Sequence, residues 1–242
     1  KKKRKFIEYC WTLTPFLPSF LFKKEKTVKK VTYIDADIFF FKTPTKIIEE
    51  FKKSKKLIYI TEHGFHKDKD YSKVSGRFCV QYMIFKKNKN CSKILRWWQA
   101  KCIDWCHDYP DSGRLGDQKY LDQWPKLFKK YIHISKNKKF FQGPWTFNRF
   151  NVNDKIIYHF HGLKINNDKV FIFNSYGFTK LILNKIYLPY FAALKKTLLN
   201  IGFNFKQNKR NKMEFLIDNF KYAYSSTLLN FKKRKNYIFN LR

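Results

Sequence analysis

The chain has 242 residues, 44% hydrophobic and 20% aromatic, which supplies one large domain with a real core and excludes a disordered chain. Its formal net charge is +34, from 52 Lys and Arg against 18 Asp and Glu, so polyanions are its natural attractants: nucleic acid, anionic lipid or phosphorylated substrates. The basic residues are nearly all Lys amid abundant Asn, Ile, Phe and Tyr, a balance that AT-rich coding also produces, and no apolar run approaches the roughly 20 residues of a membrane span.

In chain order, residues 9–22 (YCWTLTPFLPSFLF) are aromatic with two prolines and read as a loop and a short helix packed on a core. Residues 31–35 read as a strand. The segment KTPTKIIEEFKKS reads as a helix capped by Thr43, with Pro44 at its first position. KLIYITEH (56–63) is a second strand, 64–75 a polar Lys-rich loop, and GRFCVQYMIFK (76–86) a third strand. Residues 92–107 read as a helix, because Ile94, Trp98, Cys102 and Trp105 recur at helical spacing. A short helix started by Asp117 and stopped by Pro125 follows, then a strand at 131–135, a loop at 140–150 and a strand at 155–162. From Lys164 the character changes, and residues 180–242 alternate Leu, Ile, Phe and Tyr with Lys in the manner of amphipathic helices. The expectation is an α/β domain over 1–164 and a helical, basic region over 165–242.

Five cysteines, Cys10, Cys79, Cys91, Cys102 and Cys106, form no Cys-x-x-Cys pair. Cys102 and Cys106 lie one helical turn apart beside His107, a spacing a metal can use. The set as a whole reads as buried free thiols of a reduced cytosolic protein.

The chemistry concentrates in VTYIDADIFFF (31–41), which sets Asp35 and Asp37 between two strongly apolar flanks. Burying two unpaired carboxylates costs several kcal/mol. If the strand ends near Asp35, both can converge on Mg²⁺ or Mn²⁺, which prefers oxygen ligands and brings substrate phosphates. The bland alternative is that both cap the next turn and pair with Lys. Asp68-Lys69-Asp70 is a second Asp-x-Asp, in a Lys-rich loop where solvation accounts for it. His159 and His161 share one face of their strand by spacing and can complete a metal site, ahead of Gly162 and Lys164. Lys164 can neutralise a phosphate as a point charge. Asp117 after Gly116 is accounted for as a helix cap, and a catalytic role requires it to face the cation.

Together these segments resemble a family. EYCWTLTP (8–15), DADIFFF (35–41), Glu62-His63, GRFCVQYMIF (76–85), WWQAKCIDWC (97–106), GDQKYLDQW (116–124) and HFHGL (159–163) resemble, in this order, the motifs of bacterial GT-A type glycosyltransferases of a cell-surface polysaccharide group. The resemblance covers residues 8 to about 164. It implies a GT-A-like mixed sheet flanked by helices, with Asp35 and Asp37 holding Mn²⁺ or Mg²⁺ against the diphosphate of a nucleotide-sugar donor such as a UDP-sugar. His159 fits a His-x-x-Gly third-ligand pattern, with His161 the alternative, and Asp117-Gln118 would line the donor sugar. Lys164 follows Gly162 by two residues where related families have three, and Pro144-Trp145-Thr146 stands where relatives have Pro-Trp-Asn.

The resemblance further implies that the chain lacks its N-terminal nucleotide-binding part and alone binds nucleotide sugar poorly. It implies a saccharide or lipid-linked acceptor and a cytoplasmic place, peripheral on the inner face of the membrane, where Lys-rich segments 185–199 and 228–242 suit anionic lipid. Glu62, Asp117 and Asp122 are the candidate bases of an inverting enzyme; a retaining one would set Gln118 near the anomeric carbon. The competing classes are a basic nucleic-acid-binding protein and a Mg²⁺-dependent phosphoryl-transfer enzyme. The expectation adopted is no nucleic-acid partner. The readings separate in space: the transferase requires Asp35, Asp37, Asp117 and His159 to converge.

Overall fold

In the computed structural model, residues 4–166, 169–174, 176–202 and 235–240 are described. The main sheet has the order β1-β4-β3-β5, from Lys30–Ile34 (β1), Phe78–Lys86 (β4), Ile58–Glu62 (β3) and Ile132–Ile134 (β5). β4 runs antiparallel to both neighbours and β3 pairs with β5 in parallel, so the sheet is mixed. β3 is buried at every position and β4 at all but its last, as near-continuous apolar sequence demands of central strands.

A second sheet, β2-β7-β6, comprises Ile38–Phe40 (β2), Ile157–His159 (β7) and Phe141–Gln142 (β6). A third, β10-β9-β8, comprises Lys235–Asn240 (β10), Lys169–Asn174 (β9) and Leu163–Asn166 (β8). The helices are Phe6–Leu13 (α1), Phe16–Lys24 (α2), Thr45–Ser54 (α3), Ser72–Ser75 (α4), Lys89–Asp104 (α5) and Trp124–Leu127 (α6). Lys180–Ile182 (α7) and Leu188–Asn200 (α8) flank a π-helical turn over Leu183–Tyr187. The fold is thus α/β with mixed sheets flanked by helices.

α5 packs Ile94, Leu95, Trp98 and Cys102 onto one face of the main sheet, where they join Ile58, Phe78, Met83 and Phe85. On the other side Ile47 and Phe51 of α3 meet Tyr59, Tyr82, Ile84 and Phe141. A third cluster joins Val152, Tyr158 and Phe160 to Val170, Ile172, Ile186 and Tyr187, so residues on both sides of the expected boundary at 164/165 share a core.

Several local expectations are corrected. Residues 9–22 lie in two helices, because Pro15 and Pro18 sit near the start of α2, where a missing N–H costs nothing. Pro125 likewise opens α6 rather than stopping the preceding helix. Pro44, not Thr43, is the N-cap of α3. The 140–150 loop contains β6, held by its pairing with β7. The region after Lys164 carries the expected helices over 180–200 and also strands β8, β9 and β10; residues 203–234 lie outside the described residues. Cys79, Cys91, Cys102 and Cys106 are buried free thiols, but Cys10 is exposed. Among the described residues no helix is long and apolar enough to cross a membrane.

Candidate active site

The site forms where the chain leaves the main sheet for the second one. β1 ends at Ile34, and residues 35–37 make the connection to β2. The Asp35 N–H donates to the Gln81 carbonyl (3.2 Å), and the Phe160 N–H donates to the Asp37 carbonyl (2.7 Å). Ile38 opposes His159 in the β2–β7 register. The turn is therefore pinned to both sheets, and Asp37 is set beside the end of β7.

Asp37, His159 and His161 each bring one ligand atom within 4.8 Å of the others. His159 Nε2 lies 2.9 Å from Asp37 Oδ1. His161 stands in the turn after β7 rather than on the strand, so it reaches the cluster through the turn and not by strand alternation; its ring centroid is 6.0 Å from that of His159. Trp145 backs both rings, at 5.1 Å and 6.1 Å, and its indole N–H donates to the His63 carbonyl (2.7 Å). His63 stacks on Phe65, and burial holds its imidazole neutral, with its ordinary value lowered to about 3.

Asp35 lies outside this trio. Its Oδ1 accepts from the Tyr33 hydroxyl at 2.8 Å. Burial raises its carboxyl above the usual range, against the pull of His159 and Tyr33. Burial also pushes Asp37 upward, but the His159 hydrogen bond and charge outweigh it and the net direction is down. Asp117 is buried, and burial together with the nearby Asp35 charge raises it to about 7, opposed by a Thr14 hydrogen bond. Thr14 also bonds Tyr33, so α1's C-terminal end ties Asp117 to the Asp35 side of the site. Of the four predicted groups, Asp37 and His159 are in hydrogen-bond contact, while Asp35 feels the charges of both and Asp117 feels that of Asp35.

Other predicted residues are placed differently. Asp117 makes no capping bond; its carbonyl accepts from the buried Trp98 indole (2.9 Å), which draws the residue inward. Glu62 is held by Arg77 (2.7 Å) and Lys138 (2.5 Å), which lower its carboxyl despite burial. Committed to two cations, it is a poor base. Asp122 accepts from Lys119 Nζ (3.0 Å) and the Arg77 N–H (2.8 Å). The Gln118 amide donates to the Ser75 carbonyl (2.9 Å), bracing α4. Gly162 turns the chain with φ +79°, and Lys164 follows in β8 opposite Phe171.

Sequence reasoning left Thr14, Tyr33, Gln81 and Trp145 without roles, although all four lie in the quoted segments. Gln81 sits fully buried at the centre of β4, with neither side-chain polar atom hydrogen-bonded among the described residues. Asp117 Oδ2 and His159 Nδ1 are likewise buried without partners. Unsatisfied polar atoms beside a carboxylate and two imidazoles fit a site that receives a polar, charged ligand. The donor set fits a divalent cation: the carboxylate suits Mn²⁺ or Mg²⁺, while two imidazoles favour a transition metal over Mg²⁺.

No family model matches the chain. Two proteins of Bacillus subtilis strain 168 are similar to it. The uncharacterized protein YfnD is 28% identical over 214 residues, covering 81% of this chain and 67% of YfnD. The uncharacterized protein YfnF is 29% identical over 182 residues, covering 68% of this chain and 60% of YfnF. The chain thus spans two thirds or less of the curated relatives it matches. Among solved structures, a glycosyltransferase involved in glycosylation of the major capsid of PBCV-1 aligns with TM-score 0.46 and 9% identity over 65% of this chain and 72% of its own. The apo form of mouse xyloside xylosyltransferase 1 aligns with TM-score 0.38 and 14% identity over 62% of each chain. At these scores neither likeness carries an argument about function.

Proposed function

We propose that this chain carries the catalytic portion of a Mn²⁺-dependent glycosyltransferase that takes a sugar from a nucleotide-diphosphate donor, such as a UDP-sugar, and passes it to a saccharide or lipid-linked acceptor in cell-surface polysaccharide synthesis. The observation that carries this reading is the convergence of Asp37, His159 and His161 with Asp35 and the buried Asp117 alongside. The ordered motifs of the sequence support it independently. A nucleic-acid-binding role gives no reason for buried carboxyls whose protonation is favoured, Asp35 and Asp117, next to that trio and to one another.

In this reading Asp37, His159 and His161 hold the cation, and Asp35, kept in place by Tyr33, supports it from the neighbouring position. Bound there, a cation would offset the charge that grows on the diphosphate as it departs. The glycosyl C1–O bond to phosphate breaks with its electron pair leaving on the diphosphate. An acceptor hydroxyl oxygen bonds C1, and its proton passes to the departing diphosphate oxygen. Asp117, a buried carboxyl with no cation partner among the described residues, would hydrogen-bond the donor sugar.

The test is a Mn²⁺ titration followed by electron paramagnetic resonance, then a UDP-sugar screen for sugar transfer or release. One equivalent of Mn²⁺ bound by the wild type, lost in Asp37→Ala, with turnover of at least one UDP-sugar, is the expected result. A chain that takes up no Mn²⁺, or one whose Mn²⁺ uptake is indifferent to Asp37, overturns the reading. Anomer analysis of the product then separates retention from inversion.

A further inference from the structure

The N-terminal helix pair has two unlike faces. Its inner face belongs to the site: Trp11 lies against Gly116, and Thr14 bonds Asp117 and Tyr33. Its outer face is apolar and uncovered among the described residues. Phe6 (83% exposed), Cys10, Leu13, Leu17 and Phe20 (59%) recur at steps of four and three residues across α1 and α2, with exposed Ile7 and Leu21 beside them, so they form one stripe. Exposed Cys10 sits within it, and Ile103 of α5, whose carbonyl accepts from Arg4, extends it at one end.

Beside the stripe lies a basic hollow of about 420 Å³, lined by Lys87, Asn88, Lys89, Ser92, Lys93 and Arg96. Two contacts place it next to α2: Lys87 Nζ donates to the Lys26 carbonyl (2.9 Å), and Gln99, on the same face of α5 as Ser92 and Arg96, bonds Ser19 Oγ (2.9 Å). No acidic residue lines the hollow. It surrounds the N-terminal end of the 16-residue α5, whose first turn contains no acid. Cations at the positive end of a helix dipole repel it, and an anion relieves both. From Arg4 to Lys30 there are seven basic residues and two acidic ones, Glu8, which is buried, and Glu25.

We infer that the α1–α2 stripe and the adjacent basic hollow form a docking surface for an anionic lipid bilayer, the stripe entering the interface and the hollow receiving a lipid phosphate. An apolar helical face rimmed by Lys is the pattern that lies in the plane of such an interface. The surface is independent of the glycosyl-transfer reading. It is also distinct from segments 185–199 and 228–242.

Cys10 provides the test, because the other four cysteines are buried. The full chain, labelled at Cys10 with a polarity-sensitive fluorophore, is floated with phosphatidylcholine vesicles and with an equal mixture of phosphatidylcholine and phosphatidylglycerol. Expected are flotation with the mixed vesicles, at least about tenfold less with the neutral ones, and a blue shift of the label. Leu17→Asp/Phe20→Asp removes the blue shift. Lys89→Ala and Lys93→Ala each lower partitioning roughly fivefold. Flotation without a blue shift means attachment through other cations and overturns the inference. So does failure to float, whether the stripe then proves to pair two copies in solution or to be covered by protein in a longer chain.

Discussion

Asp117 offers a sharp test of the site's electrostatics, because its environment converts directly into stability. The carboxyl is buried, has one oxygen without a hydrogen-bond partner, and is raised from 3.8 to about 7, first by burial and then by the Asp35 charge. Folding therefore favours the protonated form. The stability is fully present below about pH 4, where both states are protonated, and is lost as pH rises through 7. At 1.36 kcal/mol per pH unit the loss approaches 4 kcal/mol above pH 7. Asp117→Asn keeps the shape and the Thr14 contact but cannot ionise. In urea unfolding with EDTA present, the variant should match the wild type near pH 4 and exceed it by roughly 2–4 kcal/mol at pH 8, with the difference opening between pH 4 and 7. Parallel stability curves for the two proteins across this range, or a variant weaker at pH 8, would refute the account of a buried carboxyl held neutral beside Asp35.

Three further outcomes test the assignment of neighbouring groups. Asp37→Asn should weaken Mn²⁺ at least about tenfold in a calorimetric titration, and Asp35→Asn less, because only Asp37 shares the trio with the histidines. Equal losses would place Asp35 in direct contact with the ion. Glu62→Gln should cost about 1–2 kcal/mol in thermal unfolding, discounted for the partly exposed Arg77 and Lys138, and leave Mn²⁺ affinity unchanged. A tenfold change in affinity would return Glu62 to the site. At Gly143 the backbone is extended, but an added Cβ would lie 2.9 Å from the Trp145 ring. Gly143→Ala should therefore cost about 1–3 kcal/mol and also lower Mn²⁺ affinity by displacing the wall behind His159 and His161. Unaltered Mn²⁺ binding in a destabilised variant would reduce Trp145 to a packing residue.

What could be read from the sequence follows the range of the forces involved. The main-sheet strands and α5 are local patterns, apolar runs and helical spacing, and they form within a few residues of where those patterns place them. Asp35 and Asp37 were legible for a different reason: two carboxylates between apolar flanks need a compensating charge wherever the chain goes. The identity of their surroundings was not legible. That Asp37 faces His159 depends on Ile38 opposing His159 within the second sheet, and that Asp117 is buried depends on Trp98 and Thr14, neither of which is near it in the chain. Asp117 after Gly116 has the local form of a cap, and only tertiary contact overrides it.

The strands after Gly162 show the reverse case, a local signal present but outweighed. Leu163 and Ile165, then Val170 and Ile172, alternate on either side of the polar run Asn166-Asn167-Asp168, which is a hairpin pattern. The density of Lys across the whole C-terminal third made helix and strand periodicities hard to separate, since a Lys at every second or third position satisfies both. Partners resolve it: Val170 and Ile172 are buried against Phe160 and Tyr187, so the hairpin exists because it closes the core behind β7. That places β8 and β9 in service of the site, since the cluster they complete also holds Tyr158 and Phe160, the residues on either side of His159. A polar substitution at Ile172 should accordingly disturb Mn²⁺ binding through the position of β7, although Ile172 itself touches no group in the trio.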